Sequence, residues 1–378
     1  MKFRPSILLS SVFVMAACGS SGSGVPGTES QSPPAARALD VPGSWEHQSG
    51  DDDEKNDRCR APDGLAALPG YSIEVWARGT STIFNPDSIE WDGHDIWVGY
   101  QNMTTKDGSD GGAGFGTTST VVEYDRRGQV ERTFSVPGHC DGLRVDPTTH
   151  IVWASSNEDG NPDLTSIDPS TGTITHYTLD PTVHGGGYDD MAFQGGKFFI
   201  AASNPNLDPS GVNVFPALDL VTLNGTHAVV SAVLQGNATA TDIATGSTVT
   251  LNEIDPDSIT IDPSGDIVLD NQGGSELVFI QNAATPGQTV SRLSLPTQVD
   301  DTVWVTAKKG TLFVVDGKAN AIYAVKTKFV VGDVFTETPD DSTIASMVGT
   351  LDVTTGKIFP QIIGFKKATG LLFVPDKK

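Results

Sequence analysis

Pro86-Asp87-Ser88-Ile89-Glu90-Trp91 opens a six-residue pattern that returns along the chain, and its recurrence decides the fold. CDGLRV begins at Cys140, YDDMAF at Tyr188, PDSITI at Pro256 and VDDTVW at Val299, with a weaker PQIIGF at Pro360. A turn and a second apolar run follow each one: DIWVG from Asp95, HIVWA from His150, KFFIA from Lys197, DIVLD from Asp266, TLFVV from Thr311 and LLFVP from Leu371. Short alternating runs broken by Gly, Pro, Asp and Asn read as β-strands, and no stretch beyond residue 70 has the length and period of a helix.

Further strand pairs, such as STVVEYDRRGQVERTFSVPG and LTSIDPSTGTITHYTLDP, complete units of four strands. Asp87, Asp141, Asp189, Asp257, Asp300 and Gln361 are 54, 48, 68, 43 and 61 residues apart, a spacing that suits one propeller blade plus variable loops. The expectation is an all-β, six-bladed propeller over residues 70–378. Its last unit reaches Lys378 with only two inner strands, 361–365 and 371–374. YSIEVWARGTSTIFNPDSI, from Tyr71, matches the second half of a blade, so residues 72–76 and 80–84 are expected to supply the outer strands in a split-blade closure from both termini.

Among the 378 residues, 47 Asp and Glu face 24 Lys and Arg, a net charge of -23. Phosphate backbones are bound by basic stripes, so nucleic acid is excluded as an expected partner. Lys2 and Arg4 precede an apolar run from Ile7 to Ala17, too short to span a bilayer. The run reads as an export signal over residues 1–17. Residues 18–69 are rich in Gly, Ser, Pro and acids and read as a tether, because they hold too few apolar groups to offset the entropy of ordering. Cys59 and Cys140 pair in one reading, since export permits a disulfide, and are separate buried thiols in the other.

The MAAC junction at Cys18, followed by GSSGSG, resembles a bacterial lipoprotein signal. That resemblance implies cleavage before Cys18, lipid on its thiol, and anchoring of the exported chain to the cell envelope. The repeat itself resembles the six-bladed class that includes NHL-repeat proteins and the gluconolactonase-like (SMP-30-like) family. The resemblance covers residues 70–378 and implies a divalent metal at the propeller mouth, bound by a Glu, two Asn and an Asp, that polarises a lactone carbonyl. Asn157, Asn204 and Asn271 with Asp257 or Asp300 match that set by position. Neither Glu90 nor Glu74 is placed to complete it.

From the strand pattern alone, the hexad acids Asp87, Asp141, Asp189, Asp257 and Asp300 should ring the mouth, with His139 and His184 beside them. Hard Asp and Asn oxygens would suit Ca2+. A structural reading competes, because an Asp at a strand start also accepts hydrogen bonds from its own turn. Two functions are open: a lipid-anchored envelope protein whose mouth binds a small molecule, a polymer fragment or another envelope protein, or a metal-dependent hydrolase of the gluconolactonase-like type. HExxH, GxSxG and nucleotide-binding motifs are absent from the sequence.

Overall fold

The computed structural model describes residues 61–340 and 344–376, all of which fall within the larger unit of the chain, Asn56–Lys378. The segment expected to be an export signal, Cys18, Cys59 and most of the segment expected to be a tether lie outside the described residues. Apart from one three-residue 3-10 turn, Pro62–Gly64, the regular structure described is β-strand. The strand after each of three hexads is buried throughout, as in Ile96–Tyr100, Val152–Ser156 and Ile267–Asn271. Outer strands alternate instead: Val130–Pro137 buries Phe134 and Val136 and exposes Thr133 and Ser135. Strands covered on both faces must be apolar or small, whereas an outer strand keeps one face in water.

The hexad repeat predicts six separate blades, and the hydrogen bonding gives five sheets instead, of five, eight, six, four and four strands. Four smaller sheets stand in a propeller-like arrangement. The fifth is a nearly closed, barrel-like sheet of eight strands. Two four-stranded meanders merge in it because Thr173–Leu179 and His227–Gln235 pair in parallel, Thr178 opposite His227 and Leu179 opposite Ala228. Its end strands, Cys140–Val145 and Met191–Gln194, meet, and the sheet curls around Trp153, Leu164, Met191, Phe198, Val221 and Ala228. This overturns both the six-bladed expectation and the resemblance to the six-bladed class. A hexad encodes a local strand pair; which open edges then satisfy one another is settled by proximity.

The expected closure is also corrected. Ser72–Arg78 pairs with Ala321–Lys326, and the sheet continues through Gly310–Asp316 to Ala368–Pro375. Residues 80–84 form no strand. Lys357–Ile363 pairs with Met347–Asp352 and Ala66–Ala67, so PQIIGF is not an inner strand. The hexad strand Thr302–Trp304 takes Val334–Thr338 as partner, and the TLFVV strand pairs with the last strand instead. Packing selects this exchange: Leu312, Val314, Leu371 and Phe373 share one buried cluster with Phe329 and Phe335.

Candidate functional site: an acidic cavity at the strand starts

Three hexads carry the same irregularity in pairing. Register shifts fall between Pro86 and Ile89, Cys140 and Leu143, and Pro256 and Ile259, leaving Asp87-Ser88, Asp141-Gly142 and Asp257-Ser258 outside the ladder. Such a bulge re-aims side chains at the end of a strand. The first residue of each dipeptide lines a common cavity, and the second position stitches neighbouring strands. Ser88 Oγ donates to the Asp141 carbonyl, Asp190 Oδ2 accepts the Ile259 N–H at 2.9 Å, and Ser258 Oγ donates to Asp300 Oδ1 at 3.4 Å. Asp301 Oδ2 accepts the Leu371 N–H at 2.9 Å, and Thr369 Oγ1 reaches the Pro86 carbonyl at 3.4 Å. The circuit returns to the first hexad. At Gly142 a Cβ would lie 2.6 Å from the Asp189 carbonyl, so glycine allows this close approach.

The cavity measures about 250 Å3, and all nineteen of its lining residues are polar or charged. Ten are Asp or Glu and three, Lys106, Arg144 and Lys367, are basic. One carboxylate oxygen each from Glu158, Asp189 and Asp257 lie within 4.8 Å of one another. Burial pushes the Asp189 and Asp257 carboxyls well up, and repulsion from neighbouring acids pushes them further. For Glu158 burial also pushes upward, but Lys106 and the hydrogen bond with Asp189 win and hold it below the usual range. The Lys106 ammonium pairs directly with Glu158. Burial raises Asp141 well above its ordinary value and takes Asp87 up to about 8 against the pull of Lys367.

Arg144 and Asp301 line both this cavity and a second one of about 250 Å3, walled by Ile89, Val145, Met191, Ile259 and Leu371. Arg144 pairs with Asp190, lies 3.9 Å from Glu90 and 4.0 Å from Asp301, and donates to the Ile259 carbonyl at 2.8 Å. Asp190 is also buried at the wall of the mouth cavity. The three converging carboxylates make a donor set for a hard divalent cation.

Asp87, Asp141, Asp189, Asp257, Asp300 and Asn204 line the cavity, whereas His139, His184, Asn157 and Asn271 do not. Asn157 Oδ1 accepts the His139 N–H at 2.9 Å and its Nδ2 donates to the Asn161 carbonyl at 2.9 Å. Asn271 is similarly spent, accepting from the Asp255 and Gly274 amides and donating to the Asn252 carbonyl and Glu276. Both use their amide groups on neighbouring turns and stand outside the lining of the mouth cavity. His139 sits behind Asp141, its Nε2 at 3.5 Å and its Nδ1 at 2.7 Å from Thr104 Oγ1, with burial lowering it to about 4. His184 Nε2 meets the Gly187 carbonyl at 2.7 Å. Cys140 is a buried thiol near the Gly142 carbonyl, while Cys59 lies outside the described residues.

Sequence reading missed Glu158, Lys106 and Arg144. The signal for Glu158 was its place immediately after Asn157, just past a buried inner strand. Lys106 comes from the glycine-rich loop 101–118, which the Lys106 carbonyl ties down by accepting the Asp159 N–H at 3.1 Å. In a second carboxylate group, Asp95, Glu123 and Glu131, two acids already have partners: Arg132 bonds Glu123 at 2.7 Å and His94 Nδ1 meets Asp95 at 2.7 Å.

No family model matches the chain, and no curated protein matches it. Solved structures align with the chain at low identity. A protein described as a candidate gluconolactonase aligns over 84% of this chain and 94% of its own at 11% identity and a TM-score of 0.47. A Bacteroides caccae protein of unknown function aligns over 77% and 87% at 8% identity and 0.44. Virginiamycin B lyase from Staphylococcus aureus aligns over 78% and 100% at 11% identity and 0.39. Likenesses at this level carry no argument about function, which has to come from the chemistry of the cavity.

Proposed function

We propose that the acidic cavity is a divalent-cation centre, with Ca2+ the best fit, that binds a small polar substrate and hydrolyses an ester or lactone bond in it. The observation that carries this reading is the convergence of Glu158, Asp189 and Asp257 within 4.8 Å inside a cavity with no apolar lining residue. Such walls reject apolar ligands and suit a hydroxylated or charged one. A cation at these carboxylates supplies the charge that polarises a carbonyl and acidifies a water. Burial pushes the Asp87 carboxyl up in the metal-free chain, which makes it the group assigned to give a proton to a leaving oxygen.

The test is metal analysis of the purified full chain, followed by hydrolysis assays on simple lactones for the wild type and the Asp189→Asn, Asp257→Asn and Glu158→Gln variants. One bound divalent ion with metal-dependent hydrolysis, both lost in the variants, supports the reading. A bound ion without hydrolysis sinks the enzyme and leaves a binding site for a small molecule or an envelope partner. Absence of any bound ion overturns both.

Export and lipid anchoring at Cys18 are part of the same proposal, supported by the basic residues, apolar run and MAAC junction. Cys18→Ala should move the protein from the membrane fraction to the soluble fraction on expression in a bacterium. Equal membrane retention of the two forms would remove the anchor from the account.

A further inference from the structure

At the end away from the mouth acids, the eight-stranded barrel-like sheet carries a cavity of about 520 Å3. Asp146 to Thr149 and the pair Gly196-Lys197, from the turns that follow two hexads, line it with Leu220 to Leu223 near the end of Pro216–Asn224. Trp153, Phe198 and Val221 belong both to its wall and to the buried cluster inside the sheet. The Trp153 ring lies 5.0 Å from Phe198, and Phe198 stacks on Phe193 at 4.6 Å, so three rings in contact form one aromatic wall. A cavity of this kind, largely apolar with a few polar groups and set at the end of a barrel, is the usual form of a small-molecule site. It shares no lining residue with the acidic cavity.

Its polar groups divide into spent and unspent. Asp146, the one acid in the lining, accepts the Thr148 N–H at 2.8 Å and the Thr149 hydroxyl at 2.7 Å within its own turn. Lys197 Nζ donates to the Ala283 and Ala284 carbonyls at 3.0 Å each, which uses two of its three hydrogens and gives the ammonium no counter-charge among the described residues. Trp153 is 6% exposed, and its indole N–H has no hydrogen-bond partner. Two donors are left over beside an aromatic wall, and one of them is charged. We propose that this cavity binds a planar aromatic carboxylate, its rings against Trp153, Phe193 and Phe198 and its oxygens accepting from Lys197 and the Trp153 N–H. A carboxylate gains a charge-assisted hydrogen bond from the ammonium, whereas an amine would meet only donors. A flat ring system gains from offset or edge contact with the three rings, which an alkyl chain does not.

The experiment is calorimetric titration of the full chain with naphthoate, its neutral amide and decanoate. One equivalent of naphthoate is expected, bound roughly tenfold more tightly than either of the other two. Lys197→Met should lower the affinity for naphthoate roughly tenfold and leave that for the amide unchanged, a pattern that a collapsed cavity would not give. Leu223→Trp, at a position 41% exposed on the cavity's edge, should fill the space and abolish binding of both. Absence of naphthoate binding, equal affinity for acid and amide, or tighter binding of decanoate overturns the proposal. EDTA should change none of these affinities. Loss of naphthoate binding on EDTA treatment would move the ligand to the metal centre and overturn this site, whereas a chain that binds naphthoate but no metal would sink the proposed function alone. Should Lys197→Met not fold, the wild-type comparison of acid with amide and the Leu223→Trp variant still decide the matter.

Discussion

Asp190 Oδ2 accepts the Ile259 N–H at 2.9 Å while the same carboxylate pairs with Arg144, so one side chain joins three strands that line the mouth. Its neighbour Asp189 joins the carboxylate group of the same cavity. Burial alone would put Asp190 far above its ordinary range, and Arg144 limits the rise to about 7. Replacing Arg144 with Met should therefore destabilise the protein by about 3–5 kcal/mol, the usual result of stranding one member of a buried pair. Arg144→Met with Asp190→Asn should recover part of the loss, as read from urea midpoints in a double-mutant cycle.

Lys106 competes with any cation for Glu158. Lys106→Met removes an ammonium from the metal's position without removing an oxygen ligand, so Ca2+ should bind roughly tenfold more tightly, about 1.4 kcal/mol. Calorimetry on the two proteins checks this. Equal or weaker binding would mean that Lys106 keeps Glu158 ionised more than it repels the metal.

Gly142→Ala tests how closely the mouth strands must approach. The added methyl would lie 2.6 Å from the Asp189 carbonyl and collide with the Ser155 hydroxyl, whose own bond goes to that carbonyl. Overpacking of this kind costs about 1–3 kcal/mol. The expected outcome is a lower melting temperature together with weaker metal binding, because the displaced backbone carries Asp189. Wild-type affinity in a destabilised variant would show that the ligand side chains adapt.

The pH dependence of the metal-free chain has a definite sign. Burial holds Asp87 up to about 8 and Asp219 up to about 6, against roughly 3.9 for an unfolded aspartate. The folded chain therefore binds more protons than the unfolded chain between about pH 4 and 8, and stability falls as pH rises through that window. Asp242 and Asp352 act oppositely. Arg292 holds the first down to about 2 and Thr354 the second, so their contribution is lost as pH falls below about 4. Melting temperatures from pH 3 to 9 should peak near pH 4–5 without metal. Adding Ca2+ should raise them most at pH 8, where the mouth acids compete least with protons. A metal-free optimum at pH 8 would contradict these assignments.

The hexads made the inner strands and the mouth acids readable because an Asp bulged at a strand start is a local event. Four of the five strongest hexads pair with the apolar run that follows them. VDDTVW does not, and nothing in its own residues distinguishes it. Asn157 and Asn271 are ligand candidates by residue type, and in the structure their side chains bond neighbouring turns. Their commitment to nearby amides depends on left-handed or tightly turned backbone, as at Asn157 with φ 73°, which composition does not reveal.

By itself, the sequence determined that the chain is all-β and that its acids gather at strand starts. These properties come from side-chain alternation and turn residues, which are local. The number of sheets, the exchange of strands near the C-terminus, and the meeting of Lys106, Glu158, Asp189 and Asp257 were decided only in the tertiary structure. Open strand edges and buried charges are satisfied by whatever the folded chain brings within reach, and residues far apart in sequence carry no mark of that proximity.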